Sequence, residues 1–169
     1  MLQNFKNGYE VSAKSEIAKN ETNDCVVRAL ANAFEVNYNM AHVFVEKKFN
    51  RKKGKGTKAF NSILKKLSKD SINFQPSGQL DLFNQDGQSF NIEHIGDQPK
   101  LGGNLVNRKY KHKKVAYTVK AFAQKFNKGT YIILVNKHAF ALKDGIIIDN
   151  QNYQFQGYRR VVESAFKVK

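Results

Sequence analysis

The sequence predicts an α+β fold, with helices in the first part of the chain and an antiparallel sheet in the second. Apolar residues recur at helical spacing after Asp24, whereas two apolar runs separated by Asp144-Gly145 have the composition of strands in a hairpin. The chain has 169 residues, of which 41% are hydrophobic and 12% aromatic, so it is long enough to bury a substantial core. We therefore expect a single domain over residues 1–169.

The first predicted helix covers residues 24–36 and begins beside the only cysteine of the chain. Its apolar stripe consists of Val27, Leu30, Ala31 and Phe34. Asp24 is a favourable N-cap residue, which places Cys25 in the first turn. Unpaired N–H groups and the positive end of the helix dipole stabilise a thiolate there. Because Cys25 opens the helix instead of lying on its stripe, we interpret it as a candidate nucleophile rather than a small core residue.

The remaining elements follow from periodicity and from turn residues. We expect helices at 39–49, 57–68 and 118–126, with Asn39, Thr57 and Thr118 as their respective N-caps. Strands are predicted at 130–135, 138–143 and 146–150, and shorter ones at 72–75, 90–95 and 153–158. The predicted strand at 130–135 is mostly apolar, which indicates burial on both faces.

The Asp144-Gly145 turn decides which residue lies beside His138. With a two-residue loop, Lys143 pairs with Ile146, and His138 and Asp149 become diagonal neighbours on one face of the hairpin. A three-residue loop instead sets Asn150 opposite His138 and turns Asp149 away. We prefer Asp149 as the partner, because a carboxylate also stabilises an imidazolium, and we retain Asn150 as the alternative.

A cysteine at the start of a helix, followed much later by a histidine and an acid on adjacent strands, resembles the order in papain-like cysteine peptidases. Two blocks carry the resemblance, residues 20–34 and 118–150, through the motifs Thr22–Ala29, Gly129–Ile133 and His138–Gly145. They look like the small members of this superfamily encoded by bacteria and phages. The resemblance implies a papain-like fold in which N-terminal helices pack on a C-terminal antiparallel sheet.

The resemblance also implies a mechanism and a set of catalytic residues. It makes Cys25 the nucleophile, His138 the base and Asp149 the orienting acid of a peptidase that cleaves peptide or isopeptide bonds in a protein or peptide substrate. The superfamily often places an oxyanion-hole glutamine a few residues before the cysteine, but no glutamine stands there in this chain. By position, Asn20 is the nearest substitute and Asn23 the second. No metal or other cofactor is expected.

The charge balance suggests a different class of partner. Lysine and arginine number 29 against 14 acidic residues, giving a net charge of +15, and basic residues cluster at Lys47–Lys55 and Arg108–Lys114. Such clusters are most often solvated surface, but they also bind nucleic acid or an acidic partner. The alternative function is therefore a basic, nucleic-acid-associated or virion-packaged protein on a papain-like scaffold with an idle triad.

Cysteine content and hydropathy predict where the protein works. A single cysteine excludes an internal disulfide framework and a multi-cysteine zinc site. The first residues lack the apolar core of a signal peptide, and no apolar run reaches membrane-spanning length. These observations predict a soluble protein without a membrane partner. We expect it in the cytoplasm, which for a phage-encoded protein means the host cytoplasm or the virion.

Overall fold

The computed structural model describes residues 4–74, 88–97, 106–110, 113–151 and 159–169. The helices in these ranges are a 3₁₀ helix at Gly8–Ser12 and α1 Glu16–Lys19, α2 Cys25–Phe34, α3 Tyr38–Phe49, α4 Phe60–Leu67 and α5 Val119–Lys125. The strands are β1 Phe5–Asn7, β2 Ile72–Phe74, β3 Gln88–Phe90, β4 Ile92–Asp97, β5 Val106–Tyr110, β6 Lys113–Ala116, β7 Thr130–Val135, β8 His138–Lys143, β9 Ile146–Asp149 and β10 Ser164–Val168. The predicted strand at 153–158 lies outside the described residues.

The main sheet has six strands in the order β1-β9-β8-β7-β10-β4. All of its pairings are antiparallel except that of β1 with β9. Two separate hairpin-like pairs, β2 with β3 and β5 with β6, complete the described strands. The α+β prediction of helices combined with a largely antiparallel sheet is confirmed.

Strand β7 lies between two hydrophobic cores, and each of its faces belongs to one of them. Side chains alternate along a strand, so consecutive residues of β7 point to opposite faces of the sheet. Ile132 and Leu134 pack with α2, α3 and α4 in one core, while Tyr131, Ile133 and Val135 pack with α5 in the other. Burial of β7 on both faces, which its composition predicts, is therefore confirmed.

Helix α2 fixes the helical core against the sheet. Seven of its ten residues are buried, and the side chains of Val27 and Leu30 are completely inaccessible to solvent. The helix packs across β8 and ends at Glu35, which adopts a left-handed conformation with φ 55°. Truncating a buried leucine of this kind to alanine costs about 2–5 kcal/mol, so α2 has little freedom to shift along the sheet.

The β8–β9 hairpin has the two-residue loop that the sequence predicts. Lys143 pairs with Ile146, and the register continues through Ala141 and Ile148. Asp144 and Gly145 have φ values of 49° and 77°, the positive values that a type I′ turn requires. The Asp144 carboxylate also accepts a hydrogen bond of 2.8 Å from the Gly129 N–H, which attaches the turn to the beginning of β7.

Two of the predicted helix caps are wrong. Helix α3 is capped by Asn37, whose side chain accepts from the Met40 N–H, and not by Asn39. Helix α4 begins only at Phe60 after Ala59 in a left-handed conformation, so Thr57 is not its cap. Both errors arise because the chain turns locally before each helix, a feature that side-chain periodicity does not report. The Thr118 cap of α5 is confirmed by a 3.2 Å hydrogen bond from the Ala121 N–H.

The sequence patterns also miss several elements near the two ends of the chain. They predict neither β1, the 3₁₀ helix and α1 at the beginning nor β10 at the end. The short strands expected at 72–75 and 90–95 correspond to β2 and to parts of β3 and β4. None of the helices that the structure describes has the length and apolar composition needed to cross a bilayer.

The turn geometry predicts that Gly145→Val destabilises the protein by about 1–2 kcal/mol, because a β-branched residue resists a positive φ. A Cβ at this position would also lie 3.4 Å from the Ala123 carbonyl oxygen and the Asn127 side chain. Denaturant unfolding monitored by circular dichroism measures the change. Gly56→Val is the matched control, since nothing lies within 4 Å of a Cβ there and its φ is not positive. Equal stabilities of the two variants would contradict the turn assignment.

Candidate active site

The structure brings Cys25, His138 and Asp149 together. His138 Nε2 lies 2.8 Å from Asp149 Oδ1 and 2.9 Å from Oδ2. The Cys25 side chain is a hydrogen-bond and charge partner of the same imidazole. Because the carboxylate occupies Nε2, a relay through the ring requires Nδ1 to face the sulfur. The three side chains thus stand in the order that a nucleophile, a base and an orienting acid require.

Each of these residues lies at the end of an element. Cys25 is the first residue of α2, His138 the first of β8 and Asp149 the last of β9. The β8–β9 register sets the last two as diagonal neighbours, which is the reason they touch. The side chains of His138 and Asp149 are only 10% and 9% exposed. Their ionic contact is therefore screened little by water.

The His138 imidazole is held in its protonated form. Burial disfavours a charged ring and lowers its pKa, but hydrogen bonds and charge from Asp149 and Cys25 outweigh burial and raise the pKa of His138 to about 9. At neutral pH the ring is therefore an imidazolium, which serves both as a counter-ion for a thiolate and as a proton donor.

Asp24 occupies the N-cap position of α2 but does not cap the helix with its side chain. Its carboxylate instead accepts a 2.6 Å hydrogen bond from the Tyr38 hydroxyl and pairs with the Arg28 guanidinium at 2.9 Å. Burial and this carboxylate raise the pKa of Tyr38 well above its ordinary value. The predicted N-cap position of Asp24 is confirmed, but its side chain does not take up the N–H groups of the first turn.

The two candidate oxyanion residues are placed differently. Asn20 is exposed at the end of α1, where its amide contacts the Glu16 carbonyl, and it does not line the cavity that contains Cys25. Asn23 lines that cavity and has a positive φ of 54°, with its amide donating to the Gly54 carbonyl at 3.2 Å. The geometry therefore favours Asn23 over Asn20, reversing the order that sequence position suggests.

The cavity beside Cys25 and His138 has a volume of about 550 Å³. Its apolar lining consists of Val26, Phe60, Leu134, Val135 and Ala139, and its polar lining of Asn23, Gly56, Thr57, Lys58, Asn61, Lys137 and Glu163. One wall comes from the helical part of the molecule, through the start of α2 and residues 56–61. The other wall comes from the sheet, through residues 134–139 and Glu163.

A buried ionic cluster holds the helical wall in place. The Glu21 carboxylate contacts Arg51 Nη2 at 2.7 Å and His42 Nε2 at 2.9 Å, and it accepts from the Gly54 N–H at 3.2 Å. Burial alone raises the pKa of Glu21, but these partners outweigh it and lower the pKa to about 2. The cluster therefore ties the segment before Cys25 to the loop that contains Gly56.

This cluster corrects the interpretation of Lys47–Lys55 as a purely surface group. The Arg51 side chain is completely buried, because it neutralises Glu21. The lysines of the range, at positions 47, 48, 52, 53 and 55, are exposed as predicted. The side chains of Arg108–Lys114, the second basic cluster, lie outside the described part of the structure.

The N-terminal segment around Gly8 and Tyr9 packs against Asp149 and Asn150. A Cβ at Gly8 would lie 3.1 Å from the Asp149 backbone nitrogen, so a larger residue would have to push this strand away by a few tenths of an ångström. The next residue, Tyr9, accepts a 3.1 Å hydrogen bond from the Asn150 amide, and the Arg28 guanidinium lies 3.7 Å above its ring. Asn150 thus contacts Tyr9, whereas Asp149 contacts His138, as the two-residue loop predicts.

A second group of serine, histidine and aspartate does not form a relay. His94 Nε2 lies 3.1 Å from Asp97 and 3.2 Å from the buried Ser164, so one nitrogen faces both partners. A relay needs opposite nitrogens for the nucleophile and the acid. Within the described residues, no group of three or more His, Cys, Asp or Glu side chains is arranged to hold a metal ion.

Comparison with protein-family models, curated proteins and solved structures found no match to this chain. The functional interpretation therefore depends on the geometry and chemistry of the site itself.

Substitution of Asp149 is expected to lower activity far more than substitution of Asn150. Asp149→Ala leaves the imidazole unoriented and should reduce both turnover and the rate of Cys25 carboxymethylation by iodoacetate at pH 6, turnover by about 10²–10⁴-fold. Asn150→Ala, which loses the Tyr9 contact, is the matched control and should be mild. A crippling effect of Asn150→Ala with a tolerated Asp149→Ala would transfer the orienting role to Asn150.

The raised pKa of His138 predicts a specific loss of stability in alkali. The contribution of His138 to the free energy of unfolding is fully present below the ordinary histidine pKa of 6.5, and it is lost as the pH rises through about 9. We expect the difference in unfolding free energy between the wild type and His138→Gln to fall by about 3 kcal/mol between these pH values. A difference that stays constant with pH would show that the folded protein does not hold an imidazolium.

Proposed function

We propose that the protein is a papain-like cysteine peptidase that hydrolyses peptide or isopeptide bonds. The observation that supports this function most strongly is the contact of Cys25 and Asp149 with the same buried imidazole, beside a cavity large enough for a peptide side chain. The nucleophile begins a helix that packs on an antiparallel sheet, and the base and acid lie on neighbouring strands of that sheet. This arrangement supports a papain-like fold as part of the same proposal.

The first chemical step is acylation of the cysteine. The Cys25 thiolate attacks the carbonyl carbon, a C–S bond forms, and the π electrons of the carbonyl move to its oxygen. The Cys25 N–H and Asn23 are the donors we propose for that oxyanion. When the intermediate collapses, the C–N bond breaks and the His138 imidazolium donates its proton to the leaving nitrogen.

The second step is deacylation. The neutral His138 takes a proton from a water molecule, whose oxygen attacks the thioester carbon. The C–S bond then breaks, the carboxylic acid product leaves, and the thiolate and imidazolium are restored. Asp149 keeps the ring oriented in both steps and stabilises its positive form. An amine in place of water would give acyl transfer by the same sequence of bonds.

A second candidate function is supported by the charge of the chain. With a net charge of +15 and exposed lysines at positions 52, 53 and 55, the protein also has the character of a nucleic-acid-associated protein. That function would leave the buried relay and its adjoining cavity unused. We therefore place the peptidase first.

Chemical labelling and peptide cleavage test the peptidase function together. At pH 6, a biotinylated epoxysuccinyl probe should modify Cys25 in the folded protein at least tenfold faster than in the urea-unfolded chain, because folding supplies the imidazolium. A peptide library from a digested proteome should gain new termini that disappear with Cys25→Ala. Equal labelling rates together with no Cys25-dependent termini would refute the function.

A further inference from the structure

The walls of the cavity beside Cys25 carry an excess of positive charge. Lys58 stands on the helical wall and Lys137 on the sheet wall, and both residues are exposed. Among the described residues that line the cavity, Glu163 is the one with a carboxylate. A substrate in this cleft therefore meets a lysine on each side.

Neither of these two ammonium groups has a carboxylate partner in the part of the chain that the structure describes. Among the described residues, neither Lys58 nor Lys137 forms an ion pair, whereas Lys6, Lys143 and Lys169 each reach a carboxylate elsewhere. Glu163 is likewise not paired with either lysine. Both positive charges are thus available to a ligand that supplies its own carboxylates.

The positive charge continues beyond the cavity on both walls. Exposed lysines at positions 52, 53 and 55 occupy the loop that leads to Lys58 on the helical side. On the sheet side, the Arg160 guanidinium donates to the Asn136 carbonyl, next to Lys137. Charges of one sign along a cleft concentrate an oppositely charged ligand and raise its association rate.

The lining also has an apolar part, which suits a side chain rather than a charged group. Phe60 and Leu134 belong to it, and both are less than one-tenth exposed. We infer that the cleft selects polypeptide segments in which an apolar side chain near the scissile bond is flanked by aspartate or glutamate. This inference rests on the proposed peptidase function and names its substrate class.

Nucleic acid is also an acidic polymer, but the cleft fits it less well. A phosphodiester has no acyl carbon for Cys25 to attack. An apolar floor of this size offers a site for an aliphatic or aromatic side chain between two charged groups. The observations therefore favour an acidic peptide.

The test uses three internally quenched peptides that share an apolar centre and carry Glu, Gln or Lys on both sides of it. The value of kcat/KM for the Glu peptide should exceed that for the Gln peptide by roughly two- to thirtyfold at low salt, as expected for two solvent-exposed ion pairs. The Lys peptide should be the poorest substrate. The preference should shrink at about 0.5 M salt, where the Debye length falls to a few ångströms.

Two double variants separate the effect of the two cleft lysines from the effect of the protein's total charge. Lys58→Gln/Lys137→Gln should abolish the preference of the enzyme for Glu over Gln. Lys120→Gln/Lys125→Gln removes the same charge from exposed positions of α5, on the other face of the sheet, and should preserve that preference. Equal rates for the Glu and Gln peptides, or an equal loss of preference in both double variants, would overturn the inference.

Measuring how tightly the three peptides bind to the Cys25→Ala protein tests the charge preference without catalysis. Fluorescence anisotropy should rank the peptides Glu, Gln, Lys in decreasing affinity, and the cleft double variant should remove the ranking. If none of the peptides is cleaved but this ranking holds, the peptidase function fails while the acidic selectivity stands. If a single-stranded oligonucleotide binds more tightly than the Glu peptide and loses that affinity in the cleft variant, the cleft is a nucleic-acid site and the inference is wrong.

Discussion

The ion pair between His138 and Asp149 is the interaction on which the rest of the site depends. Two opposite charges that are about nine-tenths buried are stable only when each satisfies the other at close range. That requirement fixes the register of the β8–β9 hairpin, since a slip of one residue would turn Asp149 to the other face of the sheet. The geometry of the proposed catalytic relay is thus determined by electrostatics as much as by packing.

Two further buried ionic groups hold the segment on the other side of the relay. Glu21 is fixed by Arg51 and His42, and Asp24 by Arg28 and Tyr38, so a paired carboxylate lies on each side of Asn23 in the residues before Cys25. Removing one partner of such a pair leaves an unpaired buried charge, which generally costs about 3–5 kcal/mol. The segment that presents the nucleophile is therefore rigid without being part of a long helix or strand.

The sequence predicts those parts of the fold that depend on local signals. The Asp144-Gly145 turn, the apolar run of β7 and the stripe of α2 each contain their own periodicity or turn chemistry, and each is found in the structure. Strand β10 is different, because it forms by pairing with β7 and β4, which are distant along the chain. Its pattern is short and includes Lys167, so nothing local distinguishes it from a basic tail.

Within the candidate site, too, the sequence predicts the local contacts and misses the contacts between distant residues. The hairpin register identifies Asp149 as the partner of His138 from sequence alone, but the contact between Glu21 and Arg51 joins residues thirty positions apart. Local rules likewise assign Asp24 as a capping side chain, whereas tertiary partners redirect its carboxylate. The basic run at Lys47–Lys55 does not by itself show that Arg51 is the residue that is buried.

The parallel pairing of β1 with β9 has a consequence for the protein during its synthesis. Phe5 pairs with Ile147, so the first strand of the chain stands beside one of the last, and the turn that follows it contacts the carboxylate-bearing residue. During synthesis, Cys25 leaves the ribosome long before His138 and Asp149 are made. In the proposed relay, Cys25 therefore has no base and no oriented imidazole until residues 138–149 have been made and β1 has paired with β9. The proposed relay is thus absent from any chain that stops before Asp149.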